Sequence, residues 1–320
     1  MKDHARVSNK TVLITGATSG IGLAAAHALA RNGCRVIGVG RSVERCAEAA
    51  EAIRTGAPGV RVDYLVADLS SQRQIRALSA AVKERLTEEG VGLDVLVNNA
   101  GAVSAWYMTS EDGYEMQFAV NHLAPFLLTR ELLPLLARSG SARVITTSSG
   151  SHYRTRMRWR DVMFRNGYNC LSVYKQSKLA NLLFTHELNR RLGPEFGVRA
   201  YALDPGLVDT AIGEKGTTGI VKWFWRRRRR KGITPQKAAE TIVHLATSAA
   251  LEDPRASYWK ECRPMRPSRY SGREDAMQRL WELSERLCGF ENATVRASEK
   301  NTDCLPDADP VETLTYEGVS

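Results

Sequence analysis

No Cys-x-x-Cys occurs in the chain, and its six cysteines, Cys34, Cys46, Cys170, Cys262, Cys288 and Cys304, lie far apart. Its six histidines form neither a His-x-x-x-His nor a His-Glu-x-x-His pair. Those absences argue against structural zinc, a dithiol redox motif and a zinc-protease helix, so reduced thiols and no metal are expected. Also missing is any apolar run of twenty residues, and the opening "MKDHARVSNK" is polar where a signal peptide would carry its apolar core. A cytoplasmic protein that does not span a membrane is expected. No internal repeat is visible, which removes solenoids and propellers.

What is present suits a globular enzyme. The 320 residues are 43% hydrophobic, with a mean hydropathy of −0.30, enough for one large α/β domain with a buried core. The formal charge is +10, concentrated in "HYRTRMRWR" (152–160) and "KWFWRRRRRK" (222–231), while the polar, acidic stretch 291–320 has no periodicity and reads as a disordered tail.

From Lys10 to about Leu203, short β-branched runs alternate with helical patterns: "TVLIT", "RVIGVG", "VDYLVAD", "DVLVNNA", "RVITTSS" and "VRAYALDPG", with helices between them. Such alternation predicts right-handed βαβ crossovers and a doubly wound, Rossmann-like parallel sheet buried on both faces. One domain over 1–290 is expected, with a lid at about 207–234.

The first strand runs into Gly16-x-x-x-Gly20-x-Gly22 and then a helix. Glycine is needed where backbone takes φ > 0 or lies against a phosphate, and the helix N-terminus supplies free N–H groups for a pyrophosphate. The turn Gly16, Thr18, Ser19, Gly20, Ile21 and Gly22 is therefore the expected dinucleotide cradle. At the end of the second strand, where an acid would bond a ribose 2′-hydroxyl, the chain has Arg41-Ser42, with Arg45 a turn later. That favours NADP(H) over NAD(H).

In "SVYKQSKLAN" (172–181), Tyr174 and Lys178 stand four apart, which on a helix puts them on one face about 5–6 Å apart at Cβ. A phenol with a pKa of about 10 exchanges protons poorly near neutrality unless an ammonium stabilises its phenolate. Tyr174 could then act as general acid to a carbonyl or general base to an alcohol. Ser148 and Ser149 end a strand at the same sheet edge, and Asn121 enters the next helix from "AVNHLAPFLLT".

Taken in order, "TGATSGIG" (15–22), "DL" (68–69), "NNAG" (98–101), Asn121, Ser149, "YKQSK" (174–178) and "DPGLVDT" (204–210) resemble the short-chain dehydrogenase/reductase family over about residues 10–290. The resemblance implies that Gly16, Gly20 and Gly22 flank the pyrophosphate, Asp68 and Leu69 border the adenine, and Asn98, Asn99, Ala100 and Gly101 shape the cofactor floor. It implies that Asn121 holds a water in a proton relay, Ser149 positions the substrate oxygen, and Tyr174 transfers the proton. Lys178 would lower the tyrosine pKa and bond the nicotinamide ribose, while Pro205, Val208 and Thr210 grip the nicotinamide. Ser149, directly before the exit of its strand, is taken as the family's serine over Ser148.

"YKQSKLANLLFTHELNRRL", "VNHLAPFLLTRELLPLL" and "ASYWKEC…LWELSERL" look most like the retinol-dehydrogenase-like and polyprenol-dehydrogenase-like branch. That branch implies a lipophilic alcohol, aldehyde or ketone as substrate. The segment Trp223–Lys231 suits either docking on an anionic membrane surface or a plain solvated charge run. The alternating arginines of "YRTRMRWR" would share a face if extended, and fit the same rim or an anionic substrate group. Nucleic acid is not the expected partner, since no binding module accompanies the charge. A homo-oligomer is compatible with the resemblance, and a cofactor-binding scaffold without chemistry and a light-driven tetrapyrrole reductase are the alternative functions.

Overall fold

A computed structural model describes residues 10–192, 196–208, 232–249, 251 and 256–290. Along the chain run β1 (Thr11–Thr15), α1 (Gly20–Arg31), β2 (Arg35–Gly40), α2 (Val43–Gly56), β3 (Val62–Val66), α3 (Gln72–Glu88) and β4 (Val95–Asn98). Next come α4 (Met116–Phe118), a π turn (Ala119–Leu123), α5 (Ala124–Arg138), β5 (Ala142–Thr147), a 3-10 turn (Gly150–His152), α6 (Cys170–Leu192) and β6 (Val198–Asp204). The last elements are α7 (Pro235–Thr247), β7 (Tyr258–Lys260), β8 (Arg263–Pro264), a second 3-10 turn (Arg269–Gly272) and α8 (Glu274–Leu287).

The strands form one sheet in the order β3-β2-β1-β4-β5-β6-β7-β8, parallel except for the antiparallel β7–β8 pair. Because successive strand residues point to opposite faces, the in-register row Ile37–Leu13–Leu96–Val144–Ala200 feeds one core. There it meets α3, α5, α6 and α8. The neighbouring positions Val36, Val12, Val95, Ile145 and Tyr201 feed a second core under α1, α2 and α7. Burial on both faces explains why these strands read as continuous apolar runs. Strand order reverses between β1 and β4, so the crevice for a ligand opens at their C-terminal ends.

Local signals set the helix starts. Ser42, Ser71 and Thr234 each accept a backbone N–H of the following first turn, from Arg45, Gln74 and Lys237. Pro125 opens α5, and having no N–H it cannot serve the Asn121 carbonyl one turn back. The widened π turn sits at that point.

The six expected strands are all present, and β7, β8 and α8 add to them. The segment 153–160 departs from the extended form considered above: Arg154 takes φ 57° and Trp159–Arg160 form a turn, although Arg154, Arg156, Arg158 and Arg160 are all exposed. Thr210, the run Trp223–Lys231 and the tail 291–320 lie outside the described residues. Most of the expected lid does too, but its flanks meet, with Val208 bridged to Ile233 and the Ile233 N–H donating to the Leu207 carbonyl at 2.8 Å. No helix among the described residues is long and apolar enough to cross a membrane.

Candidate active site at the C-terminal edge of the sheet

The glycine turn is built to exclude side chains. Gly16 and Gly20 take φ 68° and 56°, the left-handed region. A Cβ on Gly22 would lie 2.3 Å from the Gly16 carbonyl oxygen and 2.6 Å from Asn99 Nδ2. Asn99, the second residue of "NNAG", ties that turn to β1: its Nδ2 donates to the Thr15 carbonyl at 3.0 Å. Thr15 Oγ1 in turn accepts the Asn99 and Ala100 N–H groups at 3.0 and 3.1 Å. Ser19 precedes α1 without using its side chain as a cap, so the first-turn N–H groups have no side-chain acceptor.

Asn98 is buried, donates Nδ2 to Thr129 at 3.1 Å and leaves Oδ1 without a partner, in a small cavity shared with Thr15, Leu69 and Ala100. Asp68 accepts both the N–H and the hydroxyl of Ser70 at 2.9 Å. The orphaned oxygen, the bare helix terminus and the Cβ-free turn fit a dinucleotide. At the β2 end Arg41 is exposed, and Arg45 reaches back to the Thr18 carbonyl at 3.3 Å.

Tyr174 and Lys178 stand on α6, with Lys178 Nζ 5.6 Å from the tyrosine ring centre. Lys178 is buried, its Nζ donates to the Thr147 carbonyl at 3.0 Å, and burial lowers its pKa to about 8. Asn181 donates to the same carbonyl at 3.1 Å. The two serines separate cleanly. Ser148 is buried and donates to the Lys178 carbonyl at 2.8 Å, so it ties β5 to α6. Ser149 is partly exposed on a 3-10 turn that packs against α6, and its Oγ accepts the Ser151 N–H at 3.2 Å, which leaves its own proton to donate.

Asn121 has both amide N–H donors occupied and its amide oxygen engaged once. Oδ1 accepts the Ala102 N–H at 2.7 Å, and Nδ2 donates to the Ala102 carbonyl and to Ser177 Oγ, both at 3.0 Å. The side chain thus fastens the loop after β4 to α6. Pro205 and Val208 follow β6 at the same sheet edge, and Lys260 Nζ lies 3.8 Å from Asp204.

The model of the family described as short chain dehydrogenase matches residues 10–219. Retinol dehydrogenase 13 of Homo sapiens is 37% identical over 301 residues, 91% of this chain and 88% of its own length. Among solved structures, an uncharacterized protein from Mycobacterium paratuberculosis superposes with a TM-score of 0.68 at 32% identity, covering 88% of this chain and 93% of its own. An alcohol dehydrogenase from Thermococcus sibiricus, complexed with 5-hydroxy-NADP, does so with a TM-score of 0.61 at 26% identity over 81% and 99%. The chain belongs to the short-chain dehydrogenase family, in its retinol-dehydrogenase-like branch, and is an oxidoreductase.

Proposed function

We propose that the chain interconverts a lipophilic alcohol and its aldehyde or ketone with NADP(H), and that Tyr174 moves the proton. The observation that carries this is the buried Lys178 ammonium beside Tyr174, on a helix that also packs against the Ser149 turn. Bound nicotinamide supplies or takes the hydride. The Lys178 charge favours the phenolate of Tyr174, and Ser149 donates its remaining proton to the substrate oxygen. Both N–H donors of the Asn121 amide are committed, and the relay water is held by the residue's backbone carbonyl, which Pro125 has left without an i+4 donor. Gly16–Gly22 and the α1 terminus hold the pyrophosphate, and Asn98, Ala100, Gly101, Asp68 and Leu69 line the nucleoside side.

Arg41 and Arg45 support NADP(H), as does the 5-hydroxy-NADP in the Thermococcus structure. Exposed Trp106, Tyr107 and Met108 follow β4 and exposed Tyr153 follows β5, an apolar approach that supports a lipophilic substrate, in keeping with the retinol of the relatives' names. The run Trp223–Lys231 is proposed to rest on anionic lipid. Sedimentation with vesicles containing phosphatidylserine, compared with neutral vesicles, tests that: equal absence from both pellets rejects it.

The reaction is tested with NADPH and NADH against retinal, long-chain aldehydes and polyprenals, following loss of the reduced cofactor. Tyr174→Phe should remove turnover and keep NADPH binding; retained turnover would refute the assignment.

A further inference from the structure

Three histidines join the elements of the site to the C-terminal segment. His122, next to Asn121, lies with Nε2 2.8 Å from Ser284 Oγ. His186, on the helix of Tyr174, has Nδ1 2.7 Å from the Ser271 carbonyl oxygen. His152, three residues after Ser149, accepts the Ser268 N–H at Nε2 over 3.2 Å.

Of the three, His152 touches the proposed machinery most directly. A backbone N–H can only donate, so Nε2 is the bare nitrogen and Nδ1 carries the proton of the neutral ring. That proton is donated to the carbonyl of Ser149 itself at 2.7 Å. The ring is fully buried, with Tyr153 at 4.1 Å between centres and Tyr258 edge-on at 5.0 Å. Asp204 and His186 face it from β6 and α6, and burial keeps the imidazole below its usual pKa. Tyr153 adds a parallel tie, its hydroxyl donating to the Arg266 carbonyl at 2.6 Å.

Fixing the Ser149 carbonyl fixes the ψ angle that aims the turn. The His152 N–H also donates to that carbonyl, at 3.1 Å, so the ring proton is its second donor, and the next residue, Gly150, packs so closely on Asp204 that a Cβ there would stand 3.0 Å from Oδ2. We infer that His152 is a positioning residue for the reaction, holding the Ser149 turn in register and coupling it to segment 265–273. The presentation of the serine then depends on the seating of the C-terminal segment. This rests on the proposed role of Ser149 at the substrate oxygen.

The test uses the full chain, NADPH and all-trans-retinal, with His152→Phe, His152→Asn, His152→Gln and Ser149→Ala. Asparagine places its amide N–H where Nδ1 stands and keeps the tie to Ser149; glutamine reaches only the Nε2 position and keeps the tie to Ser268. His152→Phe should lower kcat by up to about 10²-fold with NADPH affinity unchanged. Asparagine should restore most of it and glutamine should not, although glutamine alone should keep slow hydrogen exchange at the Ser268 amide. Added to Ser149→Ala, the phenylalanine change should cost almost nothing more. Equal losses in Asn and Gln, or losses that multiply with Ser149→Ala, overturn the positioning role. An inactive Ser149→Ala beside a fully active His152→Phe overturns it alone, whereas a fully active Ser149→Ala overturns the reading of the serine and this inference with it.

Discussion

Lys178 and Asn181, three residues apart on α6, donate to one acceptor, the carbonyl oxygen of Thr147, at 3.0 and 3.1 Å. The strand end therefore stays satisfied if the lysine is removed, while the burial of an ammonium is relieved.

Lys178→Met should accordingly leave the midpoint of thermal unfolding unchanged or raise it, because the buried charge costs solvation that its hydrogen bond to the Thr147 carbonyl only partly returns. Turnover should fall by about 10²- to 10⁴-fold, the range for losing acid–base assistance. Calorimetry and steady-state kinetics on the same preparation check both; a large drop in thermal midpoint would mean that the lysine is structural.

The adjacent serines should respond in opposite ways. Ser148→Ala removes a buried bond to the Lys178 carbonyl and should cost about 1 kcal/mol of stability with turnover largely kept. Ser149→Ala should hold its stability within about 1 kcal/mol, having lost only a one-turn cap, and lose turnover. Denaturant unfolding and kinetics on the pair decide which hydroxyl meets the substrate.

Cofactor choice should follow the β2 end. Arg41→Ala should raise the KM for NADPH by about 10-fold or more, the scale of a lost charge-assisted bond, and leave that for NADH nearly unchanged. Equal effects on the two cofactors would place the 2′-phosphate elsewhere.

Stability should fall on acidification. His122, His152 and His186 all titrate below their usual value because burial disfavours the imidazolium, His122 down to about 3. In the unfolded chain they protonate near pH 6.5, so the unfolded state binds the extra protons. The stabilisation is complete above that pH and is lost as pH drops through the folded values. Each histidine contributes a slope of up to ~1.4 kcal/mol per pH unit in that window. Urea unfolding between pH 7 and pH 5 measures the slope, and His122→Gln should flatten it.

Much of the sheet and its site was legible in the sequence because it depends on local patterns. Short continuous apolar, β-branched runs, glycines at forced turns and the four-residue spacing of Tyr174 and Lys178 each act within a short stretch. What escaped depends on contacts between distant segments. Asn181 closes the quoted "SVYKQSKLAN", but its worth appears only when Thr147 arrives from β5. The three residues of β7, "YWK", are too few to show a period, and pair only because β6 presents an edge. The Asn121 side chain bonds Ala102 and Ser177, partners 19 and 56 residues away that no local pattern announces.

The two cores that flank the sheet are contiguous with different halves of the candidate site. One carries α1 and the glycine turn; the other carries the π turn, α6 and α8. The candidate site lies on the seam and has no interior of its own. Damage to packing should therefore reach catalysis by two separable routes: loosening on the α1 side shows first as weaker cofactor capture, and loosening on the α6 side as a slower proton step with the cofactor still held.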